Sequence, residues 1–161
     1  MSEKITPIAN NKPVASITWD TGYRTFETPL GEIRFNPFDF DLIARWEEGE
    51  KRLQSFFAED PELIAAANSD VDENTDEGQA ILDKILEASQ FVKDTTDYMF
   101  GAEISKTIYG TTHPLSYVDG SPVFQLFIEA AYPVILEFME ESAKKSQKKV
   151  DKYTKHNKKK K

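Results

Sequence analysis

The sequence predicts a mainly α domain of the α+β class: a small N-terminal antiparallel β hairpin or meander packed on about four helices, followed by a disordered Lys-rich C-terminal tail. Three observations predict it. Residues 16–35 mix β-branched, aromatic and polar positions around two turn signals. Residues 39–139 carry apolar side chains at steps of three and four. Charge is divided along the chain: ten of the 20 basic residues fall in Lys144–Lys161 beside a single acid, Asp151. That tail carries about +9, so the first 143 residues must carry −17 to give the total of −8. A chain of 161 residues with 39% apolar content can bury one core. The organisation is therefore a flexible arm over 1–13, one mainly helical domain with its hairpin over 14–143, and a basic tail over 144–161.

The elements follow in order. Ser16-Ile17-Thr18-Trp19 is strand-like, Asp20-Thr21-Gly22 is turn chemistry, and Tyr23 to Glu27 is again strand-like. After the turn Thr28-Pro29-Leu30-Gly31, Ile33 and Phe35 share one face of the next strand, which Pro37 ends. Such a hairpin needs a helix over its apolar face. Asp39 or Asp41 can cap that helix, whose stripe is Leu42, Trp46, Gly49, Leu53 and Phe56. Gly49 on this seam costs roughly 1 kcal/mol against alanine, which a close approach by another element would explain. Asp60-Pro61 predicts a short helix over Glu62–Ala67. From Glu59 to Glu77 there are eight acids and no base, which reads as a solvated linker. Asp70, Asp72, Asn74 and Asp76 are spaced like calcium ligands, but Thr75 and Ile81 stand where that loop needs glycine and glutamate.

A long helix is predicted from about Thr75, with Ile81, Ile85, Ala88, Val92, Thr95 and Met99 in step and Gly101 either stopping or bending it. Ala102 to Tyr109 adds a turn or two of helix closed by Gly110, and Thr111 to Gly120 is a loop. Ser121-Pro122 opens the last helix, which should kink near Tyr132 or split because Pro133 lies inside it.

Function classes narrow quickly. No run approaches the ~18 apolar residues of a membrane span, and the first residues lack a signal-peptide pattern, so a cytosolic protein is expected. With no cysteine there is no disulfide, thiolate metal site or cysteine nucleophile. His113 and His156 have no second ligand at metal spacing, and the glycines form no phosphate or dinucleotide loop. No catalytic residue, metal or cofactor is expected, and the protein reads as a non-enzyme. Its aromatic residues are first of all core. Trp46, Phe56 and Phe57 on the first helix, with Tyr132, Phe138 and Met139 after the proline, are the candidates for an apolar partner surface. The basic tail, Lys144, Lys145, Lys148, Lys149, Lys152, Lys155, Lys158, Lys159, Lys160 and Lys161, is the second candidate contact region.

Several stretches carry a family likeness. Gly31-Glu32-Ile33-Arg34-Phe35 leads to Phe38-Asp39. Phe91-Val92-Lys93-Asp94 follows, and then Phe100-Gly101 with Ser105-Lys106-Thr107-Ile108-Tyr109-Gly110. Together with the order of elements over roughly residues 23 to 145, they resemble the tail assembly chaperones of long-tailed phages and prophages of Gram-positive bacteria. The acidic segment around 69–77 and the N-terminal arm depart from that pattern. The resemblance implies a non-enzymatic protein in the host cell cytoplasm that holds the helical tape measure protein soluble and helps the tail tube protein polymerise around it. It also implies that the terminal lysines could mark a site of ribosomal frameshifting. Self-association through the helical seams stays open. The rival reading is a small nucleic-acid-associated or regulatory protein anchored by its lysine tail, although no recognition helix carries clustered arginines and the acidic body repels phosphate.

Overall fold

The computed structural model describes Lys12 and residues 14–159. Strands β1 (Arg24–Thr28) and β2 (Gly31–Phe35) form an antiparallel hairpin with Phe26 opposite Ile33. Five helices follow among the described residues: α1 (Leu42–Glu59), α2 (Leu63–Ala67), α3 (Asp76–Phe100), α4 (Ser105–Tyr109) and α5 (Val123–Lys159). A two-residue ladder, β3 (Tyr117–Val118) with β4 (Ser121–Pro122), precedes α5. The protein is mainly α with a small antiparallel hairpin at its N-terminal side.

The hairpin has two strands rather than the three of a meander. Ser16–Trp19 pairs with nothing among the described residues, and Ile17 and Trp19 are 87% and 73% exposed. β propensity is a preference for a half-buried pleated surface, and this segment has no surface to lie on. The following turn is firmly built: Asp20 accepts from the Gly22 amide at 2.9 Å and from both terminal nitrogens of Arg24 at 2.9 and 2.8 Å. The Arg24 hydrogen bonds, then that of Gly22, pull the Asp20 carboxyl down to about 2. In β2, Ile33 and Phe35 are buried, which fixes the hairpin's face against the helices.

Helices α1 and α3 form the central seam. They run antiparallel, since Trp46 meets Phe100 at 5.4 Å between ring centroids and Phe56 stacks on Phe91 at 4.4 Å. Leu42, Trp46, Gly49 and Leu53 are the buried line of α1. A Cβ on Gly49 would collide with Cγ of the fully buried Met99, so the close approach that the seam glycine suggested is to α3. At the start of α1, Asp41 occupies the cap position without a side-chain bond to the helix. Asp39 instead accepts from the Asp41 amide and pairs with Arg45 at 3.1 Å. Thr75 caps α3 by accepting from the Gly78 amide at 2.9 Å, and Gly101, at φ 65°, ends it in the left-handed conformation.

Helix α5 removes one of the two alternatives expected at Pro133, the split, and differs from the irregular tail expected after it. It runs through Pro133 without splitting. Pro133 and Glu129 are both exposed, so the Glu129 carbonyl that loses its helical partner can be satisfied by water. The helix also continues through the lysine tail as far as Lys159, where an irregular chain was expected. The segment from Glu140 contains no glycine or proline, and lysine, glutamate and glutamine are good helix formers; extending an existing helix avoids the cost of a new nucleus. The flexible arm expected over 1–13 lies, Lys12 apart, outside the described residues, as do Lys160 and Lys161. No described helix is long and apolar enough to cross a membrane.

Candidate partner-binding surface

An apolar cleft of about 180 Å³ opens between the hairpin and the middle of α5. Its floor comes from three elements: Phe26, Ile33 and Phe35 of the hairpin, Phe100 at the end of α3, and Phe127 of α5. The rings lock one another. Phe26 stacks on Phe35 at 4.6 Å, Phe35 meets Phe100 edge-on at 4.9 Å, and Phe100 lies 5.4 Å from Phe127. One rim is the hairpin turn at Thr28-Pro29; the other is Ala130 and Val134, one helical turn apart on α5. Val134 is 39% exposed, and the outer edge of β1 has no strand partner among the described residues. Small-molecule sites are typically about 300–1,000 Å³, so a cleft of this size suits an anchoring apolar side chain of a larger partner.

The six apolar residues singled out from the sequence do not form one surface. Trp46 is core: it is 2% exposed, and its indole N–H donates to Glu50 at 3.0 Å. Phe56 is stacked on Phe91. Phe57 stacks on Phe124 at 5.4 Å and also lines a shallow groove between α1 and α5. Tyr132 is 38% exposed but lies over Trp46 at 5.5 Å. Phe138 packs edge-on against Phe26 and Phe38 at 5.3 and 5.6 Å, and Met139 is half-buried against the core. Trp46 is thus buried, while the other five pack against neighbouring side chains and keep part of their surface accessible.

The tail residues are placed differently. Lys144, Lys145, Lys148, Lys149, Lys152 and Lys155 are all exposed along α5, and none of them is in an ion pair among the described residues. Lys158 and Lys159 lie on the same helical backbone.

Sequence reasoning missed three features. The first is the cleft, because its lining comes from elements far apart in the chain. The second is the exposed stretch with Val14, Ile17 and Trp19, which β propensity disguised as a strand. The third is Asp97, whose carboxylate accepts from the amides of Ile104 and Ser105 at 2.8 Å and from the Ser105 hydroxyl at 2.9 Å. It thereby caps α4 from the neighbouring helix and holds the chain reversal between α3 and α4. An aspartate just before the Phe-Gly stop was the available signal. Beside it, Tyr109 is buried with its hydroxyl 2.8 Å from Thr96 Oγ1, and burial pushes its pKa up.

His113 accepts from the Leu115 amide through Nδ1 at 3.1 Å; burial pushes its pKa down, and Lys93 adds to the effect. Among the described residues no three His, Asp or Glu side chains are grouped to hold a metal ion. No protein-family model matches this chain, and neither curated proteins nor solved structures gave a match.

Proposed function

We propose that this chain is a non-enzymatic tail assembly chaperone of a long-tailed phage or prophage, acting in the host cytoplasm. It grips apolar anchor residues of the helical tape measure protein and releases them as tail tube protein polymerises. One observation carries the reading. Two of the stretches on which the resemblance rests contribute to the cleft, Ile33 and Phe35 from the first and Phe100 from the last, while Phe91–Asp94 and Ser105–Gly110 do not line it. An apolar slot beside a net-negative body suits transient cover of an extended helix, because burial of a few anchors provides affinity while charge keeps the complex soluble.

The test is co-expression with the longest helical protein encoded immediately downstream. That partner is expected to become soluble and co-purify with the native chain. A Val134→Glu variant, which places a charge on the exposed rim of the cleft, should lose most of it while remaining folded. An insoluble, unbound partner in both cases would overturn the reading. The exposed lysine face of α5 favours a nucleic-acid-associated alternative, which requires binding to duplex or single strands that falls steeply with salt.

A further inference from the structure

The two charge extremes of this molecule lie at opposite ends, and a helix holds them apart. The order of contacts along α5 establishes this. Phe124 lies against Phe57 near the end of α1, Tyr132 lies over Trp46 near its start, and Phe138 meets Phe38 and Phe26 beyond it. Helix α5 is thus antiparallel to α1 and leaves the body at the hairpin end. The acidic segment sits at the other end. Glu59, Asp60 and Glu62 follow directly on the end of α1, and Asp60 lies 3.8 Å from Lys84 of α3. The run Asp70, Asp72, Glu73, Asp76 and Glu77 leads into the start of α3, which lies well beyond the level at which Phe91 meets Phe56.

At 1.5 Å per residue, Lys152 is ~42 Å along α5 from the level of Phe124, whereas electrostatic screening in physiological salt acts over ~8 Å. The basic arm therefore cannot neutralise the acidic end of its own molecule. Between Lys144 and Lys155 it carries six lysines against Asp151. Val150 and Tyr153, 56% and 71% exposed, continue a four-three spacing with Met139, Ala143 and Ser146. The near part of this arm, Glu141 to Lys149, borders a polar groove shared with the Asp20–Arg24 turn, Asn36 and Phe38, and beyond Lys149 the charged, partly apolar helix has no partner among the described residues.

We propose that the exposed C-terminal half of α5 is a docking helix whose occupant is a second copy of this chain, bound at its acidic α2–α3 end. Charge complementarity selects that occupant. The arm faces eight acids without a base over Glu59–Glu77 of the next copy, while two arms side by side repel. The contact joins different surfaces of the two copies, so it is head-to-tail and leaves one free arm and one free acidic end on every assembly. This self-association does not depend on the tail-assembly reading.

The test is sedimentation velocity on the nuclease-treated full chain from micromolar to hundreds of micromolar, at low and at high salt. Weight-average mass is expected to rise with concentration above the 18.4 kDa monomer at low salt, without a plateau at dimer. Dissociation constants should weaken by at least roughly tenfold on moving to high salt. A variant carrying Lys144→Glu, Lys145→Glu, Lys148→Glu, Lys149→Glu, Lys152→Glu and Lys155→Glu should be monomeric throughout. So should Glu59→Lys combined with Glu62→Lys, Asp70→Lys and Glu73→Lys. These are exposed positions, and circular dichroism on each variant verifies the fold. A wild-type chain that stays monomeric at low salt overturns the proposal, whether or not it binds a polyanion such as heparin. Association that survives high salt, or that survives in either folded variant, also overturns it.

Discussion

The two halves of α5 are one helix by geometry and two by physics. From Val123 to Met139 it is held by packing: Phe124 on Phe57, Tyr132 on Trp46, Phe138 on the hairpin, and Ile135 almost fully buried. From Glu140 onward nearly every described residue is exposed, and only Ser142 is partly covered. The first half contains the proline and remains helical, because tertiary contacts outweigh a lost backbone bond. The second half contains no breaker but has little besides intrinsic propensity, which is marginal for an unsupported segment in water. Helicity alone therefore does not identify what belongs to the domain. Burial separates the two halves.

Substitutions can break this comparison in order of size. Trp46→Ala removes the ring that both Phe100 and Tyr132 rest on and should cost about 3–5 kcal/mol in chemical denaturation, loosening the first half of α5 as well. Gly49→Ala should cost about 1–3 kcal/mol although alanine is the better helix former, because its methyl would meet Met99. A neutral or stabilising effect would mean that the α1–α3 seam is looser than described. Asp97→Ala should cost about 1–2 kcal/mol by uncapping α4. At the opposite extreme, Tyr153→Ala on the exposed arm should change stability by less than about 0.5 kcal/mol.

A pH experiment sharpens the same contrast. Burial lowers the pKa of His113 in the folded chain, so the unfolded chain binds the proton first as pH falls. The associated stability is complete above the unfolded value of about 6.5 and is lost as pH falls through the window between that value and the lowered folded one. The urea midpoint should therefore drop between pH 7.5 and 5.5 by more in the native chain than in His113→Asn, whose amide oxygen can still accept from Leu115. An equal drop in both would remove His113 as a cause.

Much of the fold was legible because its signals are local. The α1 stripe, the start of α3 near Thr75, the glycine at its end and the alternation in β2 each need only neighbouring residues. The misses share a long-range cause. Asn68 ties the end of α2 to the loop 47 residues later by donating to the Leu115 carbonyl at 2.9 Å. It also accepts from the Tyr117 amide at 2.8 Å, and no spacing rule reveals either bond. Ser16–Trp19 looked like a strand because its composition fits one, but a strand requires a neighbour. The apolar cleft was the least legible, because the aromatic residues chosen at helical spacing pack between elements and none of them lines it. The cleft instead draws on the hairpin, α3 and α5 together.

Hydrogen–deuterium exchange across α5 of the full chain, at low and at high salt, tests the central contrast most directly. Amides from Phe124 to Met139 are expected to be strongly protected in both conditions. Those from Ala143 to Lys155 should exchange fast at high salt and gain protection at low salt, where copies associate. Equal protection along the whole helix, unmoved by salt, would mean that the arm is packed within its own molecule and would contradict the account.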